Sequence, residues 1–264
     1  MSEGRSRRRR LLWVAGAVAA TVVVLLVGGF FYVKARDSAT AVSVDDVLDE
    51  FRGTEAATLG ALGRPEPGVY VYATVGEEWV DALGGASHRY PDETTITVTP
   101  TECGYRSRWD ALRERWDELD LCVNEAGESA ERNRQYHEFF GFGADLAFAC
   151  DTSQVIRAHP PQPGERRTTL CSDGEANTEM TLTVVGVEEI AVADTTVEAV
   201  HVSIESILTG SVRGRSEIEY WAVPETGLVL KRHSTVDSDT DSPLGTTKYQ
   251  EEYTLELVSL QPRT

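Results

Sequence analysis

Val69-Tyr-Val-Tyr-Ala-Thr-Val75 is the stretch that decides the fold class. It is dense in β-branched and aromatic residues and is bounded by glycine on both sides, which predicts a strand. A second run of the same kind, Thr94-Thr-Ile-Thr-Val-Thr99, ends at Pro100. These two runs predict a mainly β protein.

Strand patterns continue from there to the C-terminus. Val223-Pro-Glu-Thr-Gly227 predicts a tight turn, because proline presets φ and glycine supplies a positive φ. A further turn is predicted at 237–245. The predicted strands after residue 136 are 139–156, 168–171, 180–187, 188–192, 196–208, 215–221, 228–236 and 247–260. Short turns between successive strands predict an antiparallel meander, and the polar stretch 125–136 is predicted to be a short exposed helix or loop.

On the N-terminal side, apolar residues recur at helical spacing. Val44, Val47, Leu48 and Phe51 stand at i, i+3, i+4 and i+7, behind Ser43 as the N-cap, which predicts an amphipathic helix to about residue 52. The proline-containing stretch 53–68 ends it.

An uncharged run at 11–33 follows five arginines in Arg5 to Arg10. As a helix it would be about 34 Å long, enough for a hydrocarbon core of about 30 Å. The arginines predict a cytoplasmic tail at 1–10, a transmembrane signal-anchor helix at 11–33, a tether at 34–43 and an extracytoplasmic domain at 44–264. The alternative, a signal peptide cleaved near Ala39-Thr-Ala41, is disfavoured because its apolar region is normally about 7–15 residues long.

The formal net charge is −18. A domain this acidic is not expected to bind nucleic acid, and the expected membrane contact is made by the protein's own helix. The predicted location is therefore the cell membrane, single-pass, with the C-terminal domain outside the cytoplasm.

All four cysteines follow the apolar run, in a compartment that permits disulfides. Four cysteines allow three connectivities, and hairpins centred near Leu112 and Pro160 favour Cys103 with Cys122 and Cys150 with Cys171. A helix over 107–120 is the alternative to the first hairpin, but it would hold its two cysteines too far apart to bridge. The hairpin would place Trp109 opposite Trp116. A four-cysteine zinc site is disfavoured, because no Cys-x-x-Cys occurs.

Catalytic and metal signatures are absent from the sequence. Asp237-x-Asp239-x-Asp241 resembles the start of a calcium loop, but Ser242 and Lys248 stand where glycine and glutamate are required, so a solvated hairpin tip is favoured. The five histidines lack ligand spacing. No P-loop, Gly-x-Gly-x-x-Gly or Gly-x-Ser-x-Gly occurs, so no cofactor, metal or catalytic residue is assigned and a non-enzyme is predicted.

Four tryptophans after the apolar run are candidate ligand-facing residues: Trp79, Trp109, Trp116 and Trp221. Aromatic side chains can line a concave apolar site, although at strand spacing they more often form core.

The second half resembles a recurrent envelope pattern. It runs from Val187-Glu-Glu-Ile-Ala-Val-Ala-Asp194 through Ile218-Glu-Tyr-Trp-Ala-Val-Pro-Glu-Thr-Gly-Leu-Val-Leu-Lys-Arg232 to Tyr253-Thr-Leu-Glu-Leu257. This is similar to the half-open antiparallel barrels of the lipoprotein-carrier superfamily, which implies a curved sheet wrapped around one or two short helices and able to hold acyl chains.

The whole chain also resembles uncharacterised single-pass envelope proteins of actinobacteria, on Gly68-Val-Tyr-Val-Tyr72, Tyr90-Pro91, Arg108-Trp109-Asp110 and Arg115-Trp116-Asp117. That resemblance implies no particular activity. The expected function is a non-catalytic binding or scaffold module of the cell envelope. Lipid or lipoprotein binding and an envelope hydrolase remain the alternatives, with a lipid or an envelope protein as the expected partner.

Overall fold

A computed structural model describes residues 27–53, 63–158, 160–242 and 245–264. Within these ranges, no helix combines the length and the apolar character that a membrane crossing needs. Helix α1 is described over 27–34, and the rest of the predicted spanning segment, 11–26, lies outside the described residues, as does the tail at 1–10. The predicted transmembrane signal-anchor is corrected accordingly, since the structure gives it no support.

Helix α2, Val44–Gly53, forms where the spacing predicts it. Ser43 caps it, since its Oγ accepts a hydrogen bond from the Asp46 amide at 3.1 Å. Its apolar side packs on Val69 of the first strand. The helix therefore covers the outside of the sheet, where the resemblance to lipoprotein carriers implied a helix inside the curve.

Fourteen strands make one sheet. They are β1 Gly68–Val80, β2 Ala86–Arg89, β3 Glu93–Pro100, β4 Gly104–Leu112, β5 Arg115–Asn124, β6 Gly127–Phe139, β7 Phe142–Cys150, β8 Arg157–Ala158, β9 Arg166–Ser172, β10 Ala176–Val192, β11 Thr195–Gly210, β12 Val212–Ala222, β13 Val229–Ser242 and β14 Gly245–Leu257. Strand β2 extends the edge of β1, and β8 pairs with β6.

The other twelve strands form a closed ring. Strand β1 pairs with β3 through Gly68 to Ala73, and β14 returns to pair with β1 from Tyr72 to Val80. The expected curved sheet or half-barrel is therefore wrong, because the first and last strands, β1 and β14, pair with each other. Gly76 permits the close approach at this seam, since a Cβ there would collide with the backbone of Glu252 and with Tyr253.

Side chains alternate between the lumen and the outer face along every strand. The register places Tyr253 of β14 opposite Ser234 of β13, and Trp109 of β4 opposite Ile96 of β3, so inward-facing side chains lie on both sides of the seam. The main core cluster includes Tyr70, Tyr72, Trp109, Tyr253 and further apolar residues on the inward face. The core therefore lies largely inside the ring.

The hairpin predicted for 105–123 is present, with β4 ending at Leu112 and β5 beginning at Arg115. Both favoured disulfides are also present, Cys103–Cys122 and Cys150–Cys171. Cys150 and Cys171 face each other in the ladder between β7 and β9. This second bond therefore links neighbouring strands of the ring, and the first joins β5 to the residue that precedes β4.

The prediction of an exposed helix or loop at 125–136 is wrong, because most of it belongs to β6. Both faces of this strand carry polar side chains, with Asn133 and Gln135 directed inward and Arg132 and Arg134 outward. The apolar alternation that identifies a strand is therefore missing.

Candidate functional site

A cavity of about 200 Å³ lies in the lumen. Its wall is mainly apolar. Strands from around the ring contribute Ile96, Val98, Trp109, Leu119, Leu121, Met180, Leu182, Ile204 and Ile218, and connecting segments contribute Ile156 and Leu228. The polar residues at the cavity are Ser107, Asp117, Glu118, Glu128, Asn133, Gln135, Arg157 and Arg232, with the tyrosines Tyr72, Tyr105 and Tyr220. The side chain of Glu118 is directed to the outer face, where its carboxylate lies 3.8 Å from Arg134. An apolar space with a few polar groups is the usual form of a small-molecule site.

The packing inside the ring is uneven. On the β1, β4 and β14 side, Trp109 is 2% exposed and Tyr253 is 1% exposed. On the opposite side Met180, Ile204 and Ile218 also point inward but are only partly buried. The lumen is therefore filled on one side and open on the other.

Arg232 marks the polar side of the cavity. It stands on β13 opposite Leu255 of β14 and Tyr220 of β12, all inward-facing. A guanidinium nitrogen lies 3.9 Å from an Asp117 oxygen, and the guanidinium carbon lies 5.3 Å from the ring centroid of Tyr253. Within the described residues, the Arg232 Nε and the Tyr253 hydroxyl are both buried and have no hydrogen-bond partner.

Next to this position lies a buried ionic cluster centred on Arg115, which is 2% exposed. Arg115 donates to both carboxylate oxygens of Glu251, at 2.8 and 3.1 Å, and to Asp117 at 2.5 Å. Tyr90 donates its hydroxyl proton to Glu251 at 2.5 Å. Burial by itself would raise the pKa of Asp117, but the charges and hydrogen bond of Arg115 outweigh it and lower that pKa.

Glu78, which is fully buried, belongs to the same cluster. It lies 3.0 Å from His88 Nδ1 and 3.2 Å from His137 Nδ1, and accepts a hydrogen bond from Tyr249 at 3.0 Å. Burial alone would raise the pKa of Glu78, but the hydrogen bonds from His137 and His88, and the charges of His137 and Arg115, lower it to about 2. Glu78 is therefore held as a carboxylate in the interior.

The pKa of His88 is raised by the same neighbours. Burial lowers its pKa, but the hydrogen bond and charge of Glu78, followed by those of Asp37, raise the pKa above 6.5. Asp37 Oδ1 lies 3.3 Å from His88 Nε2 and accepts a hydrogen bond from the Phe140 amide at 2.8 Å. The buried ionic cluster thus extends from the strands of the ring to the segment that precedes α2.

That segment makes a second contact with the barrel. Glu114, at the turn between β4 and β5, accepts hydrogen bonds from Ser38, from the Thr40 amide and from the Thr40 hydroxyl, all at 2.8 Å. Ala41 forms an isolated bridge with Leu112. Residues 37–41 are therefore fixed against the β4–β5 turn.

A separate buried pair lies elsewhere on the cavity wall. Arg157 donates to both carboxylate oxygens of Glu128, and one of these contacts, from its Nε, is 3.0 Å long. Arg157 also donates to the Pro224 carbonyl at 3.1 Å. The pair ties β8 and β6 to the turn between β12 and β13, so its main role is structural.

The four candidate tryptophans do not converge. Trp109 lines the cavity, whereas Trp79 lines an outer groove of about 590 Å³. Trp116 stacks on Tyr136 at 5.7 Å, beside the guanidinium of Arg108 at 4.2 Å.

Trp221 also lies outside the lumen, where it stacks on His201 at 4.3 Å. The expected opposition of Trp109 and Trp116 is wrong. A bulge between Asp110 and Leu112 places Trp116 opposite Asp110 and Trp109 opposite Asp117.

The aspartates that resembled a calcium loop lie on strand β13. Asp237 is paired with Lys248 at 3.0 Å and Asp241 with Arg213 at 2.7 Å. Among the described residues, the potential metal-ligand group that converges is Cys103, Cys122 and Glu131, and both of its sulfur atoms are already joined in a disulfide.

Sequence reasoning missed the polar groups of the cavity. Arg232 follows Leu228 and Leu230 at strand spacing and precedes Ser234, so it stands on a buried face. A charged residue among apolar residues at strand spacing could have identified Arg232 as a polar group inside the ring. Asn133 and Gln135 had no such signal, since β6 lacks the alternation.

Comparisons with known proteins do not assign a family. No protein-family model and no curated protein matches the chain. One solved structure that resembles it is the hypothetical lipoprotein YmcC from Escherichia coli K12, at 14% identity and a TM-score of 0.33, over 81% of this chain and 97% of that one. A TM-score this low does not establish a common fold, and the resemblance to actinobacterial envelope proteins stays a prediction.

Proposed function

We propose that this protein is a non-catalytic binding module of the cell envelope that holds one small, mostly apolar molecule in the lumen of its closed sheet. The observation that carries the proposal is the cavity of about 200 Å³, with its apolar wall and few polar groups. Sites for drug-sized ligands usually measure about 300–1,000 Å³, so the expected ligand is smaller.

The size of the ring supports an open lumen. About eight strands enclose an interior that side chains can just fill or that holds one small ligand, and the diameter grows with strand number. Twelve strands close this ring. The tyrosines and tryptophan on one side fill part of the width, and partly buried Ile204 and Ile218 border the remainder.

The two disulfides support a location outside the reducing cytoplasm. They also cross-link neighbouring segments of the ring, which favours a stable fold around the lumen.

Calorimetric titration of the oxidised full-length protein with n-butylbenzene tests the proposal. This probe has no hydrogen-bonding group, so its binding reports the apolar cavity alone. The matched variants are Ile204→Trp, which would fill the cavity, and Ile207→Trp on the same strand, where the side chain is 53% exposed on the outer face.

We expect one butylbenzene to bind the unchanged protein and Ile207→Trp, and no binding to Ile204→Trp. Equal binding to both variants, or no binding to the unchanged protein, would contradict a lumen site. Near-ultraviolet circular dichroism checks that each variant keeps its tertiary packing.

A further inference from the structure

We propose that one end of the ring is a membrane-contact surface, where exposed aromatic side chains enter the interface of a lipid bilayer and two basic side chains meet anionic headgroups. The surface combines helix α1 with the turn between β6 and β7. None of its residues lines the lumen cavity, so it is a second site of the protein.

The β6–β7 turn contributes an aromatic side chain from the ring itself. Phe142, the first residue of β7, is 69% exposed and pairs with Phe139 across the turn. The two residues between them, Phe140 and Gly141, have φ of 57° and 75°. Two-residue turns with positive φ normally take asparagine or aspartate before the glycine, because bulky residues are disfavoured there. Phe140 stands there instead, and its ring is buried.

The end of α1 packs on this turn. Val33 contacts the buried cluster that includes Phe140. Asp37 accepts the hydrogen bond of the Phe140 amide at 2.8 Å. The guanidinium of Arg36 lies beside Gly141, where an added Cβ would stand 3.1 Å from the Arg36 Nε. Helix α1 and the β6–β7 turn are therefore joined at the same end of the ring.

Exposed aromatic residues are concentrated at this end. Phe30 is 41% exposed, Phe31 64% and Tyr32 67%, and Phe142 of the turn is the fourth. The other large apolar side chains that are exposed in the described part of the chain are all aliphatic. Aromatic rings favour the membrane–water interface over other environments, and a concentrated exposed patch marks an interaction site.

The charges on this surface favour an anionic bilayer. The protein has a net charge of −18, yet Lys34 and Arg36 have no ion-pair partner among the described residues. The Lys34 ammonium lies 6.0 Å from the ring centroid of Phe30, so cation and aromatic group are adjacent. Basic residues beside exposed aromatic ones are typical of proteins that lie on a membrane surface. In a symmetric dimer, by contrast, the same unpaired cations would meet across the interface.

The test places a fluorescent label on the ring. All four natural cysteines are in disulfides, so a Phe142→Cys variant offers one free thiol for an NBD fluorophore. The labelled full-length protein is mixed with vesicles of phosphatidylcholine and phosphatidylglycerol, with and without a lipid that carries a nitroxide near its headgroup. We expect the emission to shift to the blue in these vesicles and to be quenched by the nitroxide lipid, which acts only by contact.

The matched position is Val258→Cys, which is also an exposed apolar residue, at 40%. Its amide donates to the Val71 carbonyl at 3.0 Å, so it lies at the other end of β1, about 30 Å along the strand from Val80. A label there should not be quenched. If Phe142→Cys does not fold, Ala144→Cys replaces it, because Ala144 is exposed on the same face of β7.

The basic residues are tested in the labelled Phe142→Cys protein. Lys34→Gln with Arg36→Gln should lower the ratio of lipid-contacting to free rings about tenfold or more, since each basic residue near an anionic surface contributes about fivefold. Arg132→Gln with Arg166→Gln, two exposed arginines elsewhere on the ring, should leave the quenching unchanged.

Three results would overturn the inference: no quenching at position 142, equal quenching at positions 142 and 258, or quenching that survives the loss of both basic residues. A blue shift at position 142 without quenching, together with a dimer in analytical ultracentrifugation, would assign the surface to a contact between two copies of the chain. That outcome would also refute the membrane contact.

Discussion

Glu78→Gln should destabilise the protein most strongly in a limited pH range. Glu78 is fully buried and accepts hydrogen bonds from the two histidines and from Tyr249. The change removes the charge that raises the pKa of His88 and keeps a side chain of nearly the same shape. Its effect therefore reports the charge of the cluster rather than its packing.

The magnitude follows from the pKa values in the folded protein. The pKa of Glu78 falls from 4.5 to about 2, which corresponds to about 3 kcal/mol of unfolding free energy. Because its folded pKa is lowered, this contribution is present above pH 4.5 and is lost as the pH falls toward 2. The folded pKa of His88 is raised above 6.5, so its contribution is present below pH 6.5 and is lost as the pH rises through the folded value.

The loss on Glu78→Gln should therefore be largest between about pH 4.5 and 6.5 and should decrease on both sides. Urea unfolding between pH 3 and pH 8 measures it. The matched control is Glu77→Gln, the neighbouring residue on β1, whose exposed side chain should change stability by less than about 0.5 kcal/mol. A loss that does not vary with pH, or one no larger than that of Glu77→Gln, would refute the reasoning.

Two further predictions concern the ring. Arg115→Met leaves Glu251 and Asp117 as buried carboxylates without their main partner, and should lower the free energy of unfolding by about 3–5 kcal/mol. Replacing Cys150 and Cys171 together by alanine should cost about 3 kcal/mol, because their separation of 21 residues sets the loop that the bond closes in the unfolded chain. Urea unfolding measures both losses.

Their controls come from the protein itself. Arg213→Met removes an exposed ion pair with Asp241 and should cost no more than about 1 kcal/mol, so an equal loss in Arg115→Met would contradict the role of burial. Under reducing conditions the unchanged chain also lacks this bond. The double alanine variant and the unchanged chain should then have similar free energies of unfolding, apart from the effect of the side-chain replacement. A difference of about 3 kcal/mol that persists there would contradict the cross-link explanation.

The sequence predicted those elements that are determined by residues close together in the chain. Helix α2 followed from four apolar positions and a cap. The turn between β12 and β13 followed from Pro224 and Gly227, where Gly227 has φ of 75°. The β4–β5 hairpin was found because the reach of a disulfide excluded the helical alternative.

Ring closure depends on a pairing between the two ends of the chain, β1 and β14, and period-two patterns do not specify which strands are neighbours. The bulge at Asp110 to Leu112 likewise changed the face on which Trp116 lies. The cavity was beyond sequence reasoning for the same reason, since Arg232 and Asp117 lie on strands far apart in the chain.

A crystal structure of the oxidised protein grown with n-butylbenzene tests the central claim most directly. The account predicts one butylbenzene molecule in the lumen, packed against Ile204 and Ile218. Butylbenzene bound only in the outer groove beside Trp79, or an empty lumen at saturating concentration, would contradict a ligand site inside the ring.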